Sequence, residues 1–507
     1  MEGKVLSRRP TFIESALALI VCAIIVGVGV FKYHVDPHIP IVICTIFVSC
    51  VGMFVLRVPW KKLEEGLVTC VSCSVSAFVI LMMVGLVIGS WIVSGAVPSI
   101  IYYGLNIISP KIFLLAALLI SAVVGLATGT SWGTIGTIGI ALMGIGEGLG
   151  IPAPMTAGAA ISGAYFGDKM SPLSDTTNLA PALAGTDLFT HIRAMCWTTG
   201  PSMVIVAVIY YFLGLKYGGG AFDPAKIQAI QGLMAAEFHI SIIGFIPPIL
   251  VIGLSIAKVP ALPGVFAGIV SASLLALMNG TDLGDLLRIL HNGYETKVAG
   301  AIAGTESLSK VAEILAANNV VGISAEMAKD ASGVLTELLN RGGLDQMMWS
   351  VSLIVIAISF GGIMETIGFL EVLLGVMLKD VKSIGGTILA TGIACIMSNV
   401  FLGEQYLSIV MPGRMFASVY KERGFDPRML SRSLEDMGTL TSPLVPWNTC
   451  GGYLSSMLGV STLAYAPYAL LCYINPIVSV SLAFLGIGNF YIDKNVDEPE
   501  EPAMAEV

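Results

Sequence analysis

Residues 170–178 read MSPLSDTTN and interrupt an otherwise apolar chain with a short polar run. The sequence between Gly66 and Phe166, just before it, has only two charged side chains, Lys111 and Glu147. Proline lacks a backbone N–H, and its ring clashes with the carbonyl one turn earlier, so Pro172 predicts a helix break. Backbone groups freed in hydrocarbon are tolerated only where protein or water surrounds them. The stretch therefore predicts a broken helix inside a membrane protein.

The composition is that of an integral membrane protein. Of its 507 residues, 55% are hydrophobic and 12% are charged, whereas a soluble domain carries about 25% charged residues. The sequence lacks the short alternating segments of a membrane β-barrel, so we expect spanning helices. The predicted fold is an all-α polytopic membrane protein with about 10–13 membrane segments.

Several function classes are excluded by the sequence. The net charge of −8 and the scattered basic residues give no surface for nucleic acid. No nucleophile–base pair, phosphate-binding loop or transition-metal cluster is present in the sequence. The chain is therefore predicted not to be an enzyme and to need no cofactor.

Ten apolar runs reach the length that a helix needs to cross the hydrocarbon core. They lie at about 12–32, 38–57, 72–96, 111–129, 190–214, 238–257, 261–279, 348–378, 384–402 and 463–488. Two further apolar regions, about 130–182 and 403–453, are interrupted by Gly, Pro and polar residues. These regions predict hairpins or discontinuous helices.

The two interrupted regions match each other in sequence. Residues 441–449 read TSPLVPWNT and align with MSPLSDTTN at an offset of 271 residues, which places Pro446 opposite Asp175. Upstream, two glycines six residues apart match at an offset of 273: Gly89 and Gly95, Gly362 and Gly368. Hydropathy around these matches also corresponds, so the chain is predicted to consist of two related halves.

Loop charges predict that the two halves are inverted relative to each other. Loop 57–66 carries three basic residues and its counterpart 279–285 carries none. Loop 415–432 carries four, and its counterpart 144–154 carries none. Basic loops favour the cytoplasm, so equivalent loops are expected on opposite faces, as in many secondary transporters. By the same rule the basic N-terminus is predicted to be cytoplasmic.

The predicted organisation has five parts. They are a cytoplasmic N-terminus (1–11), a first transmembrane repeat (12–215), a linker (216–237), a second, inverted transmembrane repeat (238–490) and an acidic tail (491–507). The second repeat contains a polar insertion, 292–347, whose VAEILAA and VLTELLN segments have helical periodicity. We expect this insertion to lie outside the bilayer.

The two breaks are the predicted binding site for a hard cation such as Na⁺. Freed carbonyls, together with side-chain oxygens, supply the shell that such an ion requires, and paired breaks are typical of a transporter's midplane site. The same residues are also common helix caps in water-exposed loops, and this alternative stays open. The helix-breaking residues are Pro172, Pro443 and Pro446. The predicted ion-binding residues are Asp175 as principal ligand, with Ser174, Thr176, Thr177, Asn178, Asn448 and Thr449.

Carboxylates in apolar surroundings are candidates for proton coupling, because burying an acid in a membrane is costly. The candidates are Asp168, Glu365 and Glu404. For Asp168, an ion pair with Lys169 is the alternative. Two further acids beside apolar runs are Glu435 and Asp436, for which pairing with Arg432 or Arg428 near the cytoplasmic surface is the alternative.

Hydroxyl groups alternate with small residues in the segment 126–146. Small residues let membrane helices approach closely, and the hydroxyls are also candidates to line an ion path. They belong to Thr128, Thr130, Ser131, Thr134 and Thr137.

Long motifs in both halves resemble the NhaC-type sodium/proton antiporter family. They are TGTSWGT (128–134), GAYFGDKMSPLSDTTNLAPALAGTDLFTHI (163–192), GEQYLSIVMPGRMF (403–416), SLEDMGTLTSPLVPWNTCG (433–451) and LAYAPYALLCYINP (463–476). The resemblance covers residues 10 to 490. The family's polar breaks fall on Asp175–Asn178 and on Trp447–Thr449 in this chain.

This resemblance implies an antiporter that exports cytoplasmic Na⁺ in exchange for external H⁺ by alternating access. It also implies a bacterial inner-membrane location and paired hairpins, and it leaves a homodimer open. The expected partners are Na⁺, H⁺ and membrane lipid, with Li⁺ as an open further substrate.

Two other activities stay open. A related branch exchanges malate and protons for lactate and sodium, so proton–malate/sodium–lactate antiport is the alternative function. A carboxylate substrate would need a cationic partner, for which Arg414 and Lys169 are the candidates. A channel is the second alternative, although doubly broken repeats suit alternating access better.

Overall fold

The computed structural model describes residues 8–107, 109–217, 224–377, 381 and 383–492. The first seven residues, part of the predicted linker (218–223) and the predicted acidic tail from residue 493 lie outside the described residues. Within them every regular element is helical, apart from one isolated bridge between Phe425 and Tyr491. The all-α prediction is confirmed.

Seven helical segments in the described part of the chain are long and apolar enough to cross a membrane, or nine if two bent helix pairs are included. The seven are Phe12–Val30, His38–Val55, Val75–Val93, Pro110–Thr128, Leu188–Tyr217, Leu344–Ile367 and Ile384–Leu402. The bent pairs are Ala225–Glu237 with Ile242–Ile256, and Thr462–Tyr468 with Leu470–Phe484. The protein is a multi-pass membrane protein, as predicted.

The first half consists of helices α1 to α11. They are α1 (Phe12–Gly27), α2 (His38–Cys50), α3 (Trp60–Cys73), α4 (Val75–Val93), α5 (Ala96–Ile107), α6 (Phe113–Thr128), α7 (Ser131–Thr134), α8 (Ile140–Gly148), α9 (Ala153–Met170), α10 (Asp175–Ala184) and α11 (Leu188–Tyr217). Helices α1 and α2 continue into π-helical turns, and a third π-helical turn, Ile135–Gly139, joins α7 to α8. The apolar helix α5 is absent from the predicted spans.

Helices α12 to α18 comprise the predicted linker (α12), the start of the second half (α13 to α15) and the polar insertion (α16 to α18). They are α12 (Pro224–Glu237), α13 (Ile246–Ile256), α14 (Ala261–Met278), α15 (Leu283–Asn292), α16 (Val298–Ala303), α17 (Leu308–Ala317) and α18 (Ala325–Leu339). Helix α12 packs against α16 and α18, so the linker helix and the insertion form one layer.

The rest of the second half consists of helices α19 to α26. They are α19 (Leu344–Ile367), α20 (Phe369–Met377), α21 (Ile384–Leu402), α22 (Gln405–Glu422), α23 (Pro427–Leu434), α24 (Thr449–Leu458), α25 (Thr462–Tyr465) and α26 (Leu470–Phe484). A π-helical turn, Glu435–Thr439, continues α23. The predicted single span 348–378 is broken at Gly368, whose φ of 84° ends α19 in the left-handed region that favours glycine.

Helices α10 and α24 correspond in length and in both caps. Each has ten residues, begins after an extended polar N-cap and ends at a left-handed glycine. The N-caps are Ser174 and Asn448, and the C-cap glycines are Gly185 and Gly459, in both cases 274 residues apart. The first residues of the two helices are Asp175 and Thr449. The sequence alignment matched the two Ser-Pro-Leu motifs and set Asp175 opposite Pro446. The helices themselves correspond at an offset of 274 residues, so the alignment offset of 271 is three residues too short.

A second pair of breaks follows the same offset. Helices α6 and α21 end at the left-handed residues Gly129 and Gly403. The next residues, Thr130 and Glu404, are extended and cap α7 and α22 with their side chains. The four breaks thus occur at equivalent places in the two halves.

The two halves are interwoven. Helices α2 and α3 of the first half pack on α19, whereas α14 and α15 pack on α4. Each long core helix is thus supported by helices that belong to the other half of the sequence.

Close packing of α6 against α9 fixes the position of the residues that follow. A Cβ atom at Gly163 would lie 2.1 Å from the carbonyl oxygen of Leu118, and one at Gly167 would lie 2.4 Å from that of Ala122. Only glycine allows this approach of the two backbones. Asp168 follows directly, so the contact holds it at the end of α6.

Candidate ion site

The first-half break places a helix N-terminus against a buried carboxylate. The backbone N–H of Ser131, the first residue of α7, donates a hydrogen bond of 3.0 Å to Asp168 Oδ2. A helix N-terminus carries partial positive charge, which stabilises an anion there. Asp168 is buried, and among the residues that the structure describes it takes part in no ion pair. Its polar contacts within the described residues are therefore with dipoles and not with a basic side chain.

Hydroxyl groups surround the Asp168 carboxylate. The side chains of Ser131 and Ser174 face it, and Ser174 Oγ lies 3.2 Å from Thr176 Oγ1. Ser174 caps α10 and Thr176 lies in its first turn, so the break between α9 and α10 brings these oxygens together. The result is a buried, all-oxygen cluster with one acid, of the type that binds hard cations.

The other predicted residues of this break act as caps. Thr177 Oγ1 donates to the carbonyl of Lys169 (3.0 Å), and Asn178 donates to those of Pro172 (3.0 Å) and Ser174 (2.7 Å). Pro172 lies in the turn after Ser171, which has the extended backbone typical of a residue before proline. These contacts satisfy the carbonyls that the break frees.

Asp175, the predicted principal ligand, lies outside the buried cluster. It is exposed at the first position of α10, where a negative charge stabilises the helix N-terminus. Tyr406 of the second half donates a long hydrogen bond of 3.5 Å to its Oδ2. The buried acid of this break is Asp168.

Lys169 pairs with Asp436 rather than with its neighbour Asp168. Its Nζ lies 2.5 Å from Asp436 Oδ1, and both side chains have no exposed surface. Thr198 (3.1 Å) and Asn475 (2.8 Å) donate to the same oxygen, and Arg432 Nε is 4.0 Å from the other. The predicted pairing of Asp436 with Arg432 is thus present but secondary, and it is buried instead of lying near the surface.

Glu435 is a second buried carboxylate that takes part in no ion pair among the described residues. Its side chain has no exposed surface, and neither oxygen is hydrogen-bonded within the described residues. The side chains of Thr176 and Thr439 are nearby, and the charges of Asp168 and Lys169 reach it. It begins the π-helical turn Glu435–Thr439, an irregularity that is frequent at functional sites. The predicted pairing of Glu435 with an arginine is not observed, since Arg428 pairs with Asp426.

The second-half break forms an amide network. Asn448 donates to Asn399 Oδ1 (3.1 Å) and accepts from the N–H of Cys450 (3.0 Å). Asn399 in turn donates to the carbonyl of Gly438 (2.7 Å). Thr449 donates its N–H to the carbonyl of Gly403 (2.9 Å). This network ties the start of α24 to the break between α21 and α22.

The remaining predicted residues of the second half have structural contacts. Glu404 is buried and caps α22 by accepting the N–H of Leu407 at 2.9 Å. Glu365 is exposed on α19, with Cys70 Sγ 3.5 Å from Oε2. The carbonyl of Pro443 accepts from Tyr465 (2.7 Å), and Pro446 lies in the turn before α24.

The hydroxyl stripe serves mainly its own helix. Thr128, Thr134 and Thr137 donate to carbonyls one turn earlier, at 2.8–2.9 Å, and Thr130 caps α7. Only Ser131 of the five faces the Asp168 carboxylate. Most of these hydroxyls therefore bond within their own helix, and Ser131 provides the contact with the Asp168 carboxylate.

Sequence reasoning ranked Glu435 and Asp436 below the other candidate acids. The available signal was that each Ser-Pro-Leu motif is preceded by an adjacent pair of charged residues, Asp168 with Lys169 and Glu435 with Asp436. Nearby arginines suggested a surface location instead, and only the tertiary structure shows that the two charged pairs meet.

Comparisons with known proteins agree with this architecture. A family model described as the Na⁺/H⁺ antiporter family matches residues 163–487. The Na⁺/H⁺ antiporter NhaC of Alkalihalophilus pseudofirmus is 37% identical over 95% of this chain and 97% of its own length. The malate-2H⁺/Na⁺-lactate antiporter of Bacillus subtilis is 36% identical over 94% and 97%, respectively. The arginine/ornithine antiporter ArcD of Halobacterium salinarum is 34% identical over 98% and 96%. The chain therefore belongs to the Na⁺/H⁺ antiporter family.

Proposed function

We propose that this chain exports cytoplasmic Na⁺ in exchange for external H⁺ across the bacterial inner membrane. The observation that carries the proposal is Asp168, a buried carboxylate that faces hydroxyls and a helix N-terminus and has no basic partner within the described residues. A buried acid of this kind favours a cation, because neutralisation removes much of its desolvation cost.

The proposed Na⁺ ligands are Asp168, Ser131, Ser174 and Thr176. All their side-chain oxygens are hard ligands, as a weakly polarisable cation prefers. Asp175, exposed at the start of the same helix, is proposed as the point of approach for the ion. Asn178, Asn448 and Thr449 are proposed to hold the breaks in shape.

The proposed transport cycle is alternating access. A cluster neutralised by Na⁺ or H⁺ crosses a low-dielectric barrier at lower free-energy cost than the empty, charged cluster. Paired breaks at equivalent positions in the two halves favour alternating access to one site between them. A cytoplasmic N-terminus, contact with membrane lipid and a homodimer remain part of the proposal.

The contacts of the basic residues favour a cation over an organic anion as substrate. Lys169, one candidate partner for a carboxylate, is already paired with Asp436. Arg414, the other candidate, is exposed on α22. Neither residue is placed to receive malate or lactate in the buried cluster.

The test is transport by the purified protein in proteoliposomes. Internal pH is followed while Na⁺, Li⁺, K⁺, malate with lactate, or arginine with ornithine is added. We expect Na⁺ to change the internal pH without any added organic substrate. A response that requires malate with lactate, or arginine with ornithine, would replace Na⁺/H⁺ exchange by that activity.

Asp168→Asn is the first predicted variant. It keeps the shape and removes the charge, so we expect loss of Na⁺-dependent pH changes in a protein that remains folded. Asp330→Asn is the matched control, because Asp330 is exposed and pairs only with Lys226 in the described structure. Wild-type transport by Asp168→Asn would remove Asp168 from the Na⁺ site.

A further inference from the structure

A tyrosine of the second half holds the segment that carries Ser131. Helix α24 packs against α7 and against the π-helical turn that follows it. The ring of Tyr453 on α24 stacks on that of Trp132, with centroids 4.1 Å apart and an angle of 8° between the planes. The Tyr453 hydroxyl also donates a hydrogen bond of 2.8 Å to the backbone carbonyl of Trp132. One side chain thus contacts both the ring and the backbone of Trp132.

The position of Trp132 matters because the residue before it contacts the Asp168 carboxylate. The backbone N–H of Ser131 donates to Asp168 Oδ2, and its side chain faces the same group. The chain is broken just before this point, since Gly129 is left-handed and Thr130 is extended. The regular hydrogen bonds of α6 therefore do not extend into α7, and contacts beyond the break have to hold Ser131 in place.

The contact between α24 and α7 is closely packed. Tyr453 is buried, and a Cβ atom at Gly136 would lie 3.0 Å from its hydroxyl oxygen. One turn earlier on α24, the thiol of Cys450 faces the indole of Trp132 and the hydroxyl of Tyr165. Two residues on one face of α24 thus hold Trp132.

Helix α24 begins at the second-half break. Its N-cap, Asn448, donates to Asn399 Oδ1 (3.1 Å), and Asn399 donates to the carbonyl of Gly438 (2.7 Å). The stack of Tyr453 on Trp132 therefore connects the break of one half with the break of the other.

We propose that Tyr453 is a positioning residue of the Na⁺ site: through Trp132 it holds Ser131 against Asp168. This inference rests on the proposed function, which places Na⁺ at Asp168 and Ser131. If the contact is lost, Ser131 must be ordered at the moment when Na⁺ binds, and the cost of that ordering weakens binding.

The test measures the Kd of the purified protein for radioactive Na⁺ at equilibrium, in detergent and in a buffer otherwise free of Na⁺. Tyr453→Phe keeps the ring and removes the hydrogen bond, so we expect the Kd to rise by about two- to tenfold. An unchanged Kd in this variant would overturn the proposal. Absence of saturable Na⁺ binding by the wild-type protein would instead contradict the proposed function itself.

Tyr210→Phe is the matched control. It too removes a buried hydroxyl that donates to a backbone carbonyl, in this case that of Tyr468. We expect the wild-type Kd in this variant. An equal rise in Tyr210→Phe and Tyr453→Phe would overturn the proposal, because any lost buried hydroxyl would then have the same effect.

Exchange of radioactive Na⁺ against unlabelled Na⁺ in proteoliposomes separates positioning from a merely structural role. We expect Tyr453→Phe to raise the KM for Na⁺ and to keep the maximal rate per folded protein. A lower maximal rate with an unchanged KM would assign Tyr453 a structural role and overturn the proposal.

Gly136→Ala tests the same contact from the first half, and it decides the question if Tyr453→Phe does not fold. Its methyl group would press on the Tyr453 hydroxyl, so we expect a raised Kd for Na⁺. In the double variant Gly136→Ala/Tyr453→Phe the hydroxyl is gone, and we expect no rise beyond that of Tyr453→Phe. A wild-type Kd in Gly136→Ala, or additive effects in the double variant, would overturn the proposal.

Discussion

At the residue scale, the four charged side chains that precede the two Ser-Pro-Leu motifs have different roles. Lys169 and Asp436 neutralise each other across the interface between the halves. Asp168 and Glu435 take part in no ion pair among the described residues. Asp168 and Lys169 are adjacent on α9, and their side chains point in different directions. Asp168 contacts the first-half break at Ser131, and Lys169 contacts Asp436 of the second half.

The pair of Lys169 and Asp436 gives a prediction about stability. Lys169→Met leaves a buried carboxylate without its cation, which costs about 3–5 kcal/mol in comparable buried pairs. We expect a lower thermal unfolding temperature for Lys169→Met in detergent. The double variant Lys169→Met/Asp436→Asn should recover much of this loss, because the unpaired charge is gone. Equal destabilisation in the single and double variants would contradict a direct pairing.

At the scale of the elements, the site depends on helices that end and restart inside the protein. The left-handed glycines Gly129 and Gly403 stop α6 and α21, and the polar residues after them begin new helices. The freed N–H groups point toward carboxylates, at Asp168 through Ser131 and at Glu404 through Leu407. The two breaks use the same backbone geometry, but in the second the acid is the capping residue itself.

Backbone contact between α6 and α9 gives a prediction at this scale. Gly163→Ala places a methyl group 2.1 Å from the carbonyl oxygen of Leu118, and overpacking of this kind typically costs about 1–3 kcal/mol. We expect lower thermal stability and, since Asp168 follows on α9, a raised KM for Na⁺. Gly253→Ala is the matched control, because a Cβ there meets no atom within 4 Å. Unchanged stability in Gly163→Ala would show that the helices separate without cost.

At the scale of the whole molecule, helices from each half of the sequence pack against a long helix of the other half. The α2 and α3 helices pack on α19, and α14 and α15 pack on α4. The Asp168–Glu435 cluster lies where the two halves meet, so a relative movement of the halves would change the surroundings of both acids together. This arrangement suits a carrier that exposes one site alternately to two sides.

Inversion of the halves predicts where equivalent loops lie. Lys61→Cys, in the first turn of α3, and Asp282→Cys, before α15, should react with a membrane-impermeant thiol reagent from opposite sides of the membrane. The assay needs a background that lacks the exposed cysteines Cys73 and Cys196, with Lys61 expected on the cytoplasmic side. Labelling of both positions from the same side would contradict an inverted repeat.

Most of the architecture was predictable from the sequence, because membrane helices follow from local properties. Length and apolarity predicted the spans, and proline, glycine and polar runs predicted the breaks near 172 and 443–446. The span 348–378 was wrong because a single glycine, Gly368, ends the helix inside an unbroken apolar run. The predicted register between the two repeats was also wrong. It was based on the matching Ser-Pro-Leu motifs, whereas the N-caps and C-caps of α10 and α24 define which helix positions are equivalent.

The sequence by itself determined an all-α membrane protein with matching helix breaks, a polar cluster at those breaks and membership of an antiporter family. It did not determine which acid is buried. Asp175 and Asp168 are both acids beside the same proline, and only the packing of α6 on α9 decides that Asp168 turns inward while Asp175 stays exposed. The meeting of Lys169 with Asp436 depends on a contact between residues more than 260 positions apart. Pairing and desolvation are properties of that three-dimensional neighbourhood, so the tertiary structure alone assigns these residues their charge environment.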